Sequence, residues 1–299
     1  MEQYRIRSGG ALRKCEGELE PGEVRLIQMT EQEFAGLEER MPHKRRLERS
    51  LETVRYCKVE SFGDSVQGVM RIPGRGEEKP LSFGFYLWRQ ELLLIGGGGA
   101  LGKRLEKLRD TLPGDASPRH LLLTVLEQLI DGDLLYLQEV EERRGAVEES
   151  LLRKPPEHFY ERAIIQSKEL SALHAYYEQL IDIGDEMTGE AAGEESRFWQ
   201  LFTNRAERLH NHVEMLREYL LQLRELYRTQ IDVQQNRVMT ILTVVTTLFM
   251  PLTLIAGWYG MNFPNIPILH WRYGYAVVAM VSLGIIAAEI LYFRHKKML

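Results

Sequence analysis

Reading back from Gly257 in alternating steps of four and three residues meets Thr253, Met250, Thr246, Thr243, Met239 and Asn236. The same steps continue through Asp232, Thr229, Glu225, Gln222, Glu218, Met215 and Asn211. Each is polar or a methionine, although residues 238–259 carry no charge and are otherwise rich in Val, Leu and Ile. A 3.5-residue repeat keeps one helix face turned towards a common axis. Such a face is costly against lipid, so it should look at water or at other helices. Two chemistries fit: a wet conduit lined by hydroxyls, thioethers and amides, or a Thr-based packing seam between helices. Asn236 at the edge of the span, with Asp232 and Glu225 below it, favours the conduit.

The elements that must carry this stripe can be read from glycine, proline and charge. From Glu194 the next glycine is Gly257, and Pro251 is the one proline between them. This predicts one helix running from a small-residue turn at 188–193 into an apolar span, close to 100 Å long at about 1.5 Å per residue. Pro251 leaves the carbonyl near Thr247 without its amide, which is tolerable where neighbours or water satisfy it. Residues 273–293 form a second apolar run, broken only by Glu289. About 20 apolar residues cross a bilayer core. Trp258, Tyr259, Trp271, Tyr273 and Tyr275 gather at the loop side, as an interfacial aromatic belt does. Arg224, Arg228 and Arg237 precede the first span, and Arg294, Lys296 and Lys297 follow the second. The loop between has only Arg272, so the positive-inside rule puts both termini in the cytoplasm. Glu289 is expected to snorkel and pair with Arg294 or Lys296.

Gly260-Met261-Asn262 lies between the two runs, shortly after Pro251-Leu252-Thr253-Leu254-Ile255-Ala256-Gly257. With a C-terminal second span opening on Trp271-Arg272-Tyr273-Gly274-Tyr275 and a basic tail, this region resembles the CorA family of divalent-cation (magnesium) channels. The likeness is dense over residues 220–299 and weak before them. It implies an α+β membrane protein built as a homopentameric funnel: an N-terminal α/β/α cytoplasmic domain, a long stalk helix and two C-terminal transmembrane helices. It further implies Mg2+ as the transported and regulatory ion, with Co2+ or Ni2+ as passengers, a cell inner-membrane location, and membrane lipids and copies of the chain as partners. Carried over residue by residue, Gly260, Met261 and Asn262 would form the selectivity filter, with Asn262 touching the metal through its hydration waters. Asn236, Met239, Leu242, Thr243, Thr246, Met250, Thr253 and Gly257 would line the pore, with its apolar constriction near Leu242 and Met239. Glu225 and Asp232 would stand at the cytoplasmic mouth. No acid pair matches the family's regulatory cation ligands.

The chemistry suits that reading. Mg2+ gives up its six waters reluctantly. A ring of neutral amide oxygens can accept hydrogen bonds from those waters, where a carboxylate ring would bind tighter and slow release. Gly260 is expected to let the backbone turn so that Asn262 faces the axis. One departure stands out: residues 263–270, in which the family usually carries acids, contain none here. External attraction for cations should be weaker. A zinc-handling relative, to which His270 could also point, and a non-conducting cation-sensing scaffold are the alternatives.

Before the long helix, runs at 24–29, 54–62, 66–72, 81–88 and 92–95 read as strands of a mixed sheet. Thr30 with Glu33 reads as a capping box. Ser117-Pro118 opens a helix towards Arg153, and residues 157–185 form another. The expected segments are a sheet domain at 1–115, a helical hairpin at 116–193, a stalk at 194–237, spans at 238–259 and 273–293, a periplasmic loop at 260–272 and a tail at 294–299. Gly97 to Gly102 fits a dinucleotide-type glycine pattern, but no second strand with an acid follows, so a plain turn is expected. His210 and His212 should point apart on their helix, and Glu141, Glu142, Glu148 and Glu149 should form a solvated face. Cys15 and Cys57 read as reduced thiols. A net charge of −5 argues against nucleic acid as a partner. No signal peptide, nucleophile–base constellation or metal-ligand spacing is apparent, so neither an enzyme nor an organic cofactor is expected.

Overall fold

A computed structural model describes residues 2–6, 12–14, 24–37, 41–76, 78–107, 117–153, 158–261 and 271–296. Asn262, residues 263–270 and Cys15 lie outside them. The chain divides into two compact units, Met1–Arg224 and Glu225–Leu299.

The first unit is built on a seven-stranded sheet of order β2-β1-β3-β7-β6-β5-β4. Its strands are β1 (Glu2–Ile6), β2 (Leu12–Lys14), β3 (Val24–Met29), β4 (Lys58–Ser61), β5 (Ser65–Ile72), β6 (Leu81–Trp88) and β7 (Glu91–Gly96). Only β3 and β7 run parallel; the other neighbours are antiparallel. Helices α1 (Glu31–Ala35) and α2 (Lys44–Thr53) cover one face, where Phe34, Leu47 and Leu51 pack on Ile27, Val69, Tyr86, Leu93 and Ile95. The alternate residues Leu92 and Leu94 are equally buried and point to the other face. There α4 (Pro118–Ile130) lies on β7 and meets α3 (Gly98–Lys107). The expected α/β/α layering is therefore present. Thr30 caps α1: its hydroxyl accepts from the Glu33 amide at 3.2 Å, and Glu33 Oε2 accepts from the Thr30 amide at 2.8 Å.

Two local expectations change, and two strands join the sheet that no expectation covered. The strand expected over 54–62 is confined to Lys58–Ser61, since Val54 is spent capping α2, its amide bonded to the Ser50 carbonyl. β1 and β2, short and polar, form the sheet edge beyond β3. The helix expected from 118 to 153 is two, α4 and α5 (Asp133–Arg153), separated at Asp131-Gly132. That break delivers Asp133, fully buried, to Arg75: Nη1–Oδ1 is 2.7 Å and Nη2–Oδ2 is 2.9 Å. The Tyr177 hydroxyl donates to the same carboxylate at 2.7 Å, and Arg75 also donates to the Leu129 carbonyl at 2.8 Å. One ionic knot thus ties the β5–β6 connection to α4, α5 and α6 (Phe159–Glu190). Cys57 is a buried free thiol, and burial pushes it up to about 12, so it is inert.

After α6 comes α7 (Glu194–Tyr259), a continuous 66-residue helix. Its buried residues within the first unit recur every three or four positions, from Trp199 through Phe202, Ala206, Leu209, Val213, Leu216 and Leu220 to Leu223. In the second unit the rest of α7 and α8 (Gly274–His295) are the two helices long and apolar enough to cross a membrane.

Candidate functional site

Within Glu225–Leu299, α8 takes one side of the α7 span. Leu252, Ile255, Ala256 and Tyr259 border a cavity whose opposite wall is Trp271, Gly274, Tyr275, Val278, Ala279 and Ser282. Thr246, Met250, Thr253, Gly257 and Met261 line a separate open groove, with Phe249, Leu254 and Trp258 at its margins. At 3.6 residues per turn, this stripe is centred roughly 150° around the helix from the α8 side. Asn236, Met239 and Thr243 continue it downward, and Leu242 sits at its edge. All are exposed on the single chain; Met239, Leu242 and Met250 are 60, 59 and 71% exposed. Those are large apolar side chains left mostly uncovered by the described residues of their own chain.

The threonines of the stripe are locally held. The hydroxyls of Thr243, Thr246 and Thr253 donate to the carbonyls of Met239, Leu242 and Phe249, each at 2.8 Å. Such i−4 bonds allow threonine inside a span without an unsatisfied donor. Below, Asp232 and Glu225 are exposed on the same side of α7, and the Thr229 hydroxyl donates to the Glu225 carbonyl at 2.9 Å.

At the upper end, the Gly260 amide donates to the Ala256 carbonyl at 2.8 Å, closing the helix. A Cβ on Gly260 would stand 2.9 Å from that oxygen, and Gly260 does not have a positive φ. The glycine is needed for close approach to the preceding turn rather than for left-handed backbone. Met261 is exposed; Asn262, the third filter residue, is outside the described residues.

Several neighbouring expectations meet a different arrangement. Glu289 has no ion pair with Arg294 or Lys296 among the described residues, and its Oε2 is enclosed without a hydrogen-bond partner. Arg294 is five residues on and points around the helix, while Lys296 Nζ lies 5.5 Å over the Tyr292 ring, one turn below it. The acids of α5 are not simply solvated: Glu141 Oε2 is 3.3 Å from His212 Nε2, and Glu148 accepts from the Tyr219 hydroxyl. The glycine turn at 97–102 opens α3 with positive φ at Gly96, Gly97 and Gly98. Glu31 and Glu33 line the cavity there, which opposes a phosphate.

His210 and His212 do point apart. His212 faces Glu141, whereas His210 faces His174 on α6, with ring centroids 4.2 Å apart. Burial, then His210 and Arg217, lowers the His174 pKa against the opposite pull of Glu178 and Glu214. Sequence spacing missed this pairing because the partner comes from another helix, although His210 and Glu214 one turn apart were a visible signal.

The family model for the CorA-like Mg2+ transporter protein matches residues 27–296. A cobalt/magnesium transport protein CorA from Thermotoga maritima is 29% identical over 185 residues, 60% of this chain and 52% of that protein. A magnesium transport protein CorA from Wolinella succinogenes is 44% identical over 77 residues, 26% of this chain and 24% of the relative. The chain thus spans about half, or less, of the length of these curated relatives. The complete CorA magnesium transporter structure from Methanocaldococcus jannaschii aligns over 98% of both chains, with a TM-score of 0.82 at 19% identity, a likeness of fold. A sheet domain, one long helix and two apolar C-terminal helices follow one another in the order of that structure. With the family pattern running from residue 27 to 296, the chain belongs to the CorA-like Mg2+ transporter family.

Proposed function

We propose that the chain assembles as a homopentameric channel that carries divalent cations, Mg2+ first, inward down the membrane potential. The observation that carries this reading is the exposed Thr/Met stripe of α7, turned away from the α8 side. One chain leaves that face uncovered in a span where lipid is a poor partner for it. Five copies around an axis give the stripe water and one another. The relatives named for magnesium and cobalt transport point the same way.

In this reading the membrane holds residues 238–259 and 273–293, with both termini in the cytoplasm and residues 260–272 outside the cell. Asn262 amides, brought to the axis after Gly260 and Met261, select a still-hydrated cation. The ion passes Gly257, Thr253, Met250, Thr246 and Thr243, then an apolar constriction at Leu242 and Met239 that closes by dewetting. Asn236, Asp232 and Glu225 receive it at the inner mouth. Each unit of ionic charge gains about 2.3 kcal/mol per 100 mV, so a dication is drawn in strongly at ordinary resting potentials.

The test is uptake into liposomes containing the purified protein, comparing Mg2+, Co2+, Ni2+ and Zn2+ under an inside-negative potential. Saturable Mg2+ entry is the expected result. The acid-free segment 263–270 favours a second reading, a zinc carrier, and a clear preference for Zn2+ would select it. Absence of flux for all four ions, from a correctly assembled protein, would leave a non-conducting scaffold. Mass measurement in detergent should give a pentamer; a monomer or dimer as the main species removes the shared-axis argument.

A further inference from the structure

A second constellation lies in the Met1–Arg224 unit, apart from the α7 stripe. α6 and α7 are joined by Ala191-Ala192-Gly193, with Gly193 at φ 65°. Close packing of the pair is recorded at Gly184, where a Cβ would come within 2.3 Å of Thr203 Oγ1. His174 and His210 are equally far from the ends that meet at this turn, so an antiparallel hairpin brings them level. Their rings stand 4.2 Å apart, tilted by 46°. Glu214 follows His210 by one helical turn, and one ligand atom from each of the three residues lies within 4.8 Å of the other two. Among the described residues, neither imidazole is engaged in a hydrogen bond or ion pair.

Two imidazole nitrogens and one carboxylate oxygen make a borderline-soft donor set. It suits Zn2+, Co2+ or Ni2+, whereas Mg2+ demands six oxygens and keeps most of its water. A tetrahedral ion with bonds of about 2.0–2.1 Å holds its ligands about 3.4 Å apart. Contraction from 4.8 Å therefore asks for a shift of about an ångström. Glu214 is exposed and free to swing, while the two imidazoles are half-buried and already in contact. Water would fill a fourth position, as at sites with three protein ligands. Glu178, one turn on from His174, adds negative charge nearby, and Arg217 would move its guanidinium aside.

We propose that His174, His210 and Glu214 form a binding site for a transition-metal dication, Zn2+ foremost, contained within one chain. It differs in ion class from the Mg2+ conduit, and occupancy requires no flux, so the two readings can fail separately.

The test uses the full-length protein in detergent, stripped with chelator and titrated with Co2+ and Zn2+. Wild type should bind one Co2+ per chain at this site with the visible ligand-field bands of a nitrogen-ligated ion, and Zn2+ should displace it. The His174→Gln/His210→Gln pair should lose those bands and bind Zn2+ roughly 100-fold more weakly, at the upper end of what even outer-shell partners carry. Glu214→Gln should weaken Zn2+ binding with the bands retained, and His212→Ala should change neither. Thousand-fold excess Mg2+ should not compete. Unfolding measured without metal identifies a variant that has lost its fold; single His174→Gln and His210→Gln changes then replace the pair. Wild type without nitrogen-ligated bands, variants that keep full Zn2+ affinity, or displacement by Mg2+ would each overturn the proposal.

Discussion

One helix lives under two solvents. Over residues 194–224, α7 buries a side chain every three or four positions against its own chain, Trp199 and Leu223 marking the ends of the series. Beyond Leu223 not one described residue of the helix is buried, and α8 buries only Gly274 and Phe293. The upper part is the more apolar and the less covered. Met1–Arg224 is stabilised by a core it makes for itself. Glu225–Leu299 leaves its apolar surface mostly uncovered among the described residues, open to lipid and, in the proposed pentamer, to other copies. Stability and transport should therefore respond to different mutations.

The sharpest separation comes from Asn262→Ala. The amide should touch only the hydrated ion, so cation uptake into liposomes should be abolished while detergent-phase assembly and unfolding are unchanged. Normal transport by this variant would remove Asn262 from the filter. The converse change is Asp133→Ala, which strands Arg75 in a buried setting and removes the acceptor of the Tyr177 hydroxyl. It should cost about 3–5 kcal/mol in denaturant unfolding of the sheet domain. Flux per folded channel should stay near wild type. A loss of flux without a loss of stability would show that the two units are not energetically separable.

Smaller effects probe the conduit itself. Leu242→Ser and Met239→Ser put hydroxyls at the proposed dry constriction, so each should leak at high internal Mg2+, by a several-fold rise in closed-state flux. Unchanged closed-state flux in both would place the gate elsewhere. The mildest change is Ile268→Glu, which puts an acid into residues 263–270, external in the proposed topology. A ring of five such charges, partly screened over about 8–10 Å, should lower the half-saturating Mg2+ concentration and make uptake more salt-sensitive. If neither moves, the acid-free loop says nothing about the transported ion.

Much of this comparison was readable in the amino-acid order, for a physical reason. The long helix follows from glycine spacing, and the spans follow from charge-free length; both are local signals that tertiary context cannot easily overturn. The buried strands β3, β5, β6 and β7 announce themselves as apolar runs of strand length, and Thr30 with Glu33 fixes a helix start. What was missed depends on partners distant in sequence. Helix α2 is mostly charged, and only Leu47 and Leu51 mark its buried face. The break at Asp131-Gly132 makes sense once Arg75 is seen waiting for Asp133. The pairing of His174 with His210 needs the α6–α7 hairpin. The stripe was legible by its period, yet its position away from the α8 side is a three-dimensional fact.

The back-bonded threonines have a further consequence, for the sign of the ion. Thr243, Thr246 and Thr253 each spend their one hydroxyl hydrogen on a carbonyl of the preceding turn. What remains to face outward is oxygen lone pairs, joined by the thioether sulfurs of Met239 and Met250, which are also donorless. A hydrated cation turns water hydrogens outward and finds partners along this wall. A hydrated anion keeps only the second hydrogen of each shell water for this wall, and its outward water oxygens meet no donor on these five side chains. In a pore made from this face, the wall from Met239 to Thr253 would favour a hydrated cation over chloride without a charged residue in the span.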